Sequence, residues 1–146
     1  MVFEGTMQMP KITVAAFNQI IEDELPWAFE LGVAATAIGD GTASLIVPYD
    51  AKMLRPGGTM SGPTMMMLAD ACMYAVVLSE IGAVKLTVTT NLNINFLRKP
   101  EPRDLVAHGT MLKRGKRLAV MAVDLFSVDS DDLVAHATGT YSIPPM

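Results

Sequence analysis

The spacing of hydrophobic positions divides the chain into helical and extended stretches. Over 13–24, Val14, Phe17, Ile20 and Ile21 recur at helical spacing and predict a helix. Pro26 interrupts it, and 27–31 fits a second short turn before Gly32. Residues 33–38 and 42–47 read as the strands of a hairpin around Gly39-Asp40-Gly41, and Pro48 ends the second. From 65 to 78 periodicity is lost because almost every residue is apolar, and Asp70 is the single charge. A helix apolar on all sides is a buried helix. Ser61 or Gly62 serves as its N-cap, Pro63 suits its first turn, and Gly82 its stop. The stretch before it, from Arg55 through Gly57, Gly58, Thr59 and Met60, reads as a glycine-rich loop. Residues 86–97 alternate, with Leu86, Val88, Thr90, Leu92, Ile94 and Phe96 on one face. Thr87, Thr89, Asn91, Asn93 and Asn95 occupy the other, and period two over this length predicts a strand. Pro100 and Pro102 break it, and 105–112, 118–128 and 133–143 follow as strands. Arg114-Gly115-Lys116 and the polar 129–132 are the turns between them, and 1–12 reads as a loose arm.

Short turns make the last three strands antiparallel neighbours. One apolar helix buried so completely must be wrapped by the sheet. The expected class is therefore α+β, a curved antiparallel sheet around a long central helix. At 146 residues this fits a single domain, with an arm and helix over 1–31 and a core over about 32–143.

Composition adds a partner to this picture. Hydrophobic residues make up 51% and charged residues 18%, below the roughly 25% charge of ordinary soluble domains. Self-association is the simplest cover for the excess apolar surface. A net charge of −4 argues against nucleic acid, while leaving room for a local basic patch toward a phosphorylated ligand. The single cysteine, Cys72, allows no intrachain disulfide and reads as a small core residue. The segment 65–78 is too short to span a bilayer, and Glu4 together with the lack of a continuous apolar run speaks against a signal peptide. A cytoplasmic protein without a membrane partner is expected.

The candidate chemistry centres on Asp70. An unpaired carboxylate on a buried helix costs several kcal/mol, so a function or a buried hydrogen bond must offset it. Arg98, Lys99, Arg114, Lys116 and Arg117 sit at strand ends or a turn. Each alone is an ordinary solvated cation, but as a set they suit phosphates. Consecutive Met65, Met66 and Met67 read as core filler or as an adaptable acyl-chain wall. His108 and His136 fall on the more polar faces of their strands, outside any metal or triad motif.

Three stretches carry a family resemblance: Ser61-Gly62-Pro63 followed by Leu68-Ala69-Asp70, the run from Asn93 through Phe96-Leu97-Arg98-Lys99-Pro100, and Arg114-Gly115-Lys116-Arg117. Over 27–143 the chain resembles the hotdog fold, and its motifs are similar to those of PaaI-like acyl-CoA thioesterases. In that group a His-Gly-Gly opens the central helix and an acid follows at the same spacing. The resemblance implies hydrolysis of acyl-CoA to free acid and coenzyme A. It gives Asp70 the role of general base or nucleophile, the Gly62 N–H that of polarising the carbonyl, and Thr89 that of helper hydroxyl, with Thr90 as the open alternative. It places Ser61 where the family has histidine. Arg55, Gly57, Gly58, Met60, Pro63, Thr90, Asn91, Arg98, Arg114, Lys116 and Arg117 then fall around the substrate. No cofactor is implied beyond the coenzyme A carried by the substrate. Family sites form between subunits, which implies a homodimer or a tetramer of paired dimers. Gly62 and Asp70 are about 12 Å apart along one helix at ~1.5 Å per residue, so a shared site also resolves their separation. The departures are Ser61 for histidine, Pro63 for the second glycine, and Arg55 where an asparagine is frequent. They leave the acid and one N–H donor. A non-catalytic acyl-CoA-binding or regulatory module is the alternative. A hydratase or dehydratase would pair an acid with histidine, and no histidine is near Asp70 in sequence.

Overall fold

The computed structural model describes residues 8–50, 54–55 and 59–146. Helix α1 (Val14–Glu24) starts at Thr13, whose Oγ1 accepts from the Ala16 N–H at 3.0 Å. It buries Phe17, Ile20 and Ile21. Pro26 opens the five-residue α2 (Pro26–Glu30). Strands β1 (Ala34–Gly39) and β2 (Thr42–Val47) form the expected hairpin, with Gly41 at φ +81° in its turn.

A two-stranded ribbon, β3 (Leu54–Arg55) and β4 (Thr59–Met60), lies where the sequence reads as loop. Its pairs, Leu54 with Met60 and Arg55 with Thr59, are too short to show periodicity.

The central helix α3 (Gly62–Ile81) begins at Ser61 and ends at Gly82. The Ser61 Oγ accepts from the Thr64 N–H at 3.3 Å. Strands β5 (Val88–Phe96), β6 (Leu105–Arg114), β7 (Leu118–Ser127) and β8 (Leu133–Ser142) follow. The sheet order is β1-β2-β6-β7-β8-β5, and every pair is antiparallel. This is the curved sheet around one helix expected from the sequence.

Helix α3 fills the concave side. Residues Ala71 to Ser79 are all buried. It lies so close to the sheet that a Cβ on Gly109 would sit 2.7 Å from Val76 Cγ2 and 2.9 Å from Cys72 Sγ. A Cβ on Gly139 would sit 2.7 Å from Met73 Sδ. Glycine is needed at both positions for contact, not for torsion. Among the described residues, α3 is the one helix long and apolar enough to cross a membrane, and it is the buried core helix.

Strand β5 departs from the regular alternation read in its sequence. Thr89 pairs with Tyr141 and Asn91 with Thr140, leaving Thr90 as a bulge. A bulge adds one residue to one strand and shifts the phase of its faces. Before it, Thr89 faces α3; after it, Leu92 and Ile94 pack against the core. Val88 therefore falls on the opposite side from Leu92, contrary to the single face that the pattern implies.

Candidate active site

Asp70 projects from the flank of α3 between buried Ala69 and Ala71, and it is half-buried. Thr89 Oγ1 donates to its Oδ1 at 2.7 Å. Tyr141 OH also reaches Oδ1 at 2.7 Å, and lies 2.9 Å from the Asp70 backbone carbonyl. The hydroxyls come from directly paired residues on adjacent strands, and the bulge at Thr90 supplies the phase that brings Thr89 inward. Both donors converge on Oδ1, so Oδ2 is the carboxylate oxygen they leave to a ligand.

Tyr141 is held from behind. Its ring stacks on Tyr74 with centroids 6.2 Å apart, and Tyr74 in turn meets Phe17 at 5.9 Å. The Tyr74 OH donates to the Lys85 carbonyl at 3.1 Å. Burial, and then the neighbouring Asp70 carboxylate, push the Tyr141 phenol well above its ordinary range. The phenol therefore keeps its proton and remains a donor.

A cleft of about 500 Å³ opens beside Asp70. Trp27 and Ala28 of α2, Met67 and Tyr74 of α3, Thr87 just before β5 and Val88 at its start contribute to its walls. A Glu24–Lys85 ion pair of 3.1 Å stands among them.

The other residues singled out from sequence are spread over the subunit. Ser61 caps α3 and shares a 2.9 Å hydrogen bond between its hydroxyl and that of Thr64. Gly62 is the first residue of α3, against the Phe96 ring, where a Cβ would lie 3.3 Å from Cζ. Pro63 has no N–H, Thr64 donates to the Ser61 hydroxyl, and Met65 donates to the Ser61 carbonyl. By helix geometry, Gly62 carries the remaining first-turn N–H with no intrahelical acceptor, at the positive end of the dipole. Pro63 and Asn91 are exposed, and Thr90 Oγ1 donates to the Thr140 carbonyl at 3.1 Å. Met60 is only 1% exposed and belongs to the core. Arg55 pairs through its backbone in β3, while Gly57 and Gly58 lie outside the described residues.

The cations do not gather within one subunit. Arg98 follows β5 near the Gly62 end of α3 and lies 3.9 Å from Asp132. Arg114 pairs with Glu80, at the other end of α3, at 2.8 Å. A helix of 20 residues separates these ends by about 30 Å. Lys116 and Arg117 are exposed in the turn after β6. His108 bonds the Ser44 hydroxyl at 2.7 Å, and His136 bonds Asp124 at 2.6 Å, both away from Asp70.

Residues 57–134 match the Thioesterase superfamily. The chain belongs to that superfamily. Kinship to this thioesterase superfamily extends beyond the matched segment. A crystal structure from Silicibacter sp. TM1040, described as a thioesterase, is 38% identical. It superposes with a TM-score of 0.86 and covers 96% of this chain and 97% of its own. A Thermoplasma acidophilum protein named as an esterase is 30% identical over 107 residues, 73% of this chain and 79% of its own. The phenylacetic acid degradation protein PaaI of Thermus thermophilus shares the fold at a TM-score of 0.72 and 22% identity, covering 82% of this chain and 99% of its own. The hotdog architecture expected from the motifs is thus found, and with it membership of a superfamily of thioesterases.

Tyr141 is the site residue that sequence reading misses. Its signal was present: Ala135, Ala137 and Gly139 form a small-residue core-facing row, and Tyr141 continues it. A tyrosine on a core-facing row needs a partner for its hydroxyl.

Proposed function

We propose that this protein hydrolyses acyl-CoA thioesters to free acid and coenzyme A, with Asp70 as the reacting carboxylate. The observation that carries the reading is the pair of hydroxyls on Oδ1, which fixes the carboxylate and leaves Oδ2 to activate water. In the general-base route, Oδ2 takes a proton from water as its oxygen bonds to the thioester carbon. The C–S bond then breaks, and the proton is returned to the departing thiolate. A nucleophilic route through the same oxygen gives the same products after hydrolysis of the mixed anhydride. The carbonyl oxygen gains charge in either route, and a helix N-terminal N–H is a suitable donor to it.

That donor is the Gly62 N–H of the partner subunit. Strand β5 supports such a partner: it is nine residues long and ends the sheet, with Leu86 78% and Phe96 51% exposed at and beyond its ends. An exposed edge strand of this length invites pairing with a second copy. Arg98, Lys116 and Arg117 are the cations offered to the coenzyme A phosphates, and the cytoplasm is the place of action.

The test is a free-thiol release assay over short, medium, long and ring-bearing acyl-CoAs. Turnover by wild type, with a loss of about 10²–10⁴-fold in kcat for Asp70→Asn, supports the reading. Saturable binding without turnover across the screen would sink it and leave an acyl-CoA-binding module.

A further inference from the structure

Gly62 has no positive φ, so its torsions do not call for glycine. What crowds a side chain there is Phe96. A Cβ on Gly62 would lie 3.3 Å from Cζ of the ring, and 3.7 Å and 3.8 Å from Cε1 and Cε2. The tip of the ring therefore rests on the residue whose N–H opens α3.

Strand β5 brings the ring to this place. Leu92 and Ile94 pack against the core, and Phe96 is next in their row, opposite buried Ala135 of β8. Residues directly opposite across an antiparallel pair share a face of the sheet. Phe96 thus comes in from the concave side, over the first turn of α3. Yet it is 51% exposed, whereas Ala135 beside it is fully enclosed. One side of the ring lies on the helix and the other is open.

The same strand connects Phe96 to Asp70. Thr89, which bonds Asp70, stands near the start of β5, and Phe96 is its last residue. β5 ends the sheet. A second copy that pairs antiparallel along this edge, about a two-fold axis at its middle, sets the end of one strand beside the start of the other.

We propose that Phe96 is a positioning residue for thioester hydrolysis, acting through Gly62. Its ring walls the Gly62 N–H from water and keeps that donor for the carbonyl oxygen of a thioester attacked at the partner subunit's Asp70. This rests on the hydrolysis reading of Asp70 and Gly62, and adds the group that keeps the donor dry. Water at an open N–H competes for it and screens the charge growing on the carbonyl oxygen. In a water-excluded site the same donor stabilises that charge far more.

The experiment uses Asp70→Asn protein and cinnamoyl-CoA, whose conjugated thioester absorbs at longer wavelength as its carbonyl is polarised. At saturation, checked by calorimetry, the ligand shows a red shift with Phe96 in place and less than half that shift with Phe96→Ala. Phe96→Tyr retains it. With Asp70 intact, Phe96→Ala lowers kcat about tenfold or more and leaves KM within about threefold, part of the ~10²–10³-fold that loss of a whole oxyanion donor costs. Light scattering on the same samples reports assembly. An undiminished shift in assembled Phe96→Ala protein overturns the proposal, and so does the lack of a shift with Phe96 in place. A loss confined to samples that have come apart overturns it too, since Phe96 then serves assembly alone. Should Phe96→Ala not fold, Phe96→Leu takes its place under the same criteria. Should wild type turn over no acyl-CoA, the hydrolysis reading falls by itself, and the shift alone decides the role of Phe96.

Discussion

Asp70 receives two hydroxyl donors on a single oxygen, and each donor can be removed without disturbing the packing behind it. Tyr141→Phe keeps the ring on Tyr74 and deletes only the OH. A hydrogen bond to a charged group contributes about 1.5–3 kcal/mol, so kcat should fall roughly tenfold or more while KM stays within about twofold. The same substitution made in Asp70→Asn should change the residual rate little, since the phenol acts through the carboxylate. Equal losses in both backgrounds, read in a double-mutant cycle, would make Tyr141 a packing residue only. Cys72 provides a control of the opposite kind. Burial pushes its thiol up to about 12, and its side chain is fully enclosed. Alkylation by iodoacetamide at pH 8 should be negligible in the native protein and complete after unfolding, as mass spectrometry will show. At this scale the sequence is legible for Asp70, an isolated charge in an apolar run, and for Thr89 through its motif position. Tyr141 escaped because its partner is 71 residues away and nothing local marks the pair.

The elements were legible where periodicity or capping chemistry marks them. Ser61, Pro63 and Gly82 bound α3, and alternation locates the long strands. The β3–β4 ribbon and the bulge at Thr90 were not. Two-residue strands have no period, and a bulge inside a run of Thr and Asn changes no composition. The close approach of α3 to the sheet was equally silent, although it rests on identifiable glycines. Gly109→Ala places a methyl group 2.7 Å from Val76 and 2.9 Å from Cys72, both on a packed helix face. Overpacking of this kind typically costs about 1–3 kcal/mol. Urea denaturation should show a lowered midpoint, and a midpoint equal to wild type would mean that helix and sheet can separate without cost.

For the whole molecule, the open question is what covers β5. Pairing with a second copy across this edge would bury Val88 and extend the sheet into the neighbour. Light scattering at micromolar concentration should find a dimer or a tetramer of paired dimers, and a monomer would remove the shared site. If Lys116 and Arg117 hold coenzyme A phosphates, their joint replacement by alanine should raise KM for acyl-CoA more than for a pantetheine thioester. Equal effects would return them to an ordinary solvated turn. The topology also has a consequence for the birth of the protein. Helix α3 leaves the ribosome after β1 and β2 but ahead of β5, β6, β7 and β8. The most apolar element is thus made before most of the sheet that encloses it, including the central β6, β7 and β8. Until Ile143 has been added, the nascent chain presents a greasy rod with no complete wrapper, a substrate for chaperones and a nucleus for aggregation. Premature termination anywhere in the last two strands should therefore yield insoluble product, and not merely an inactive one.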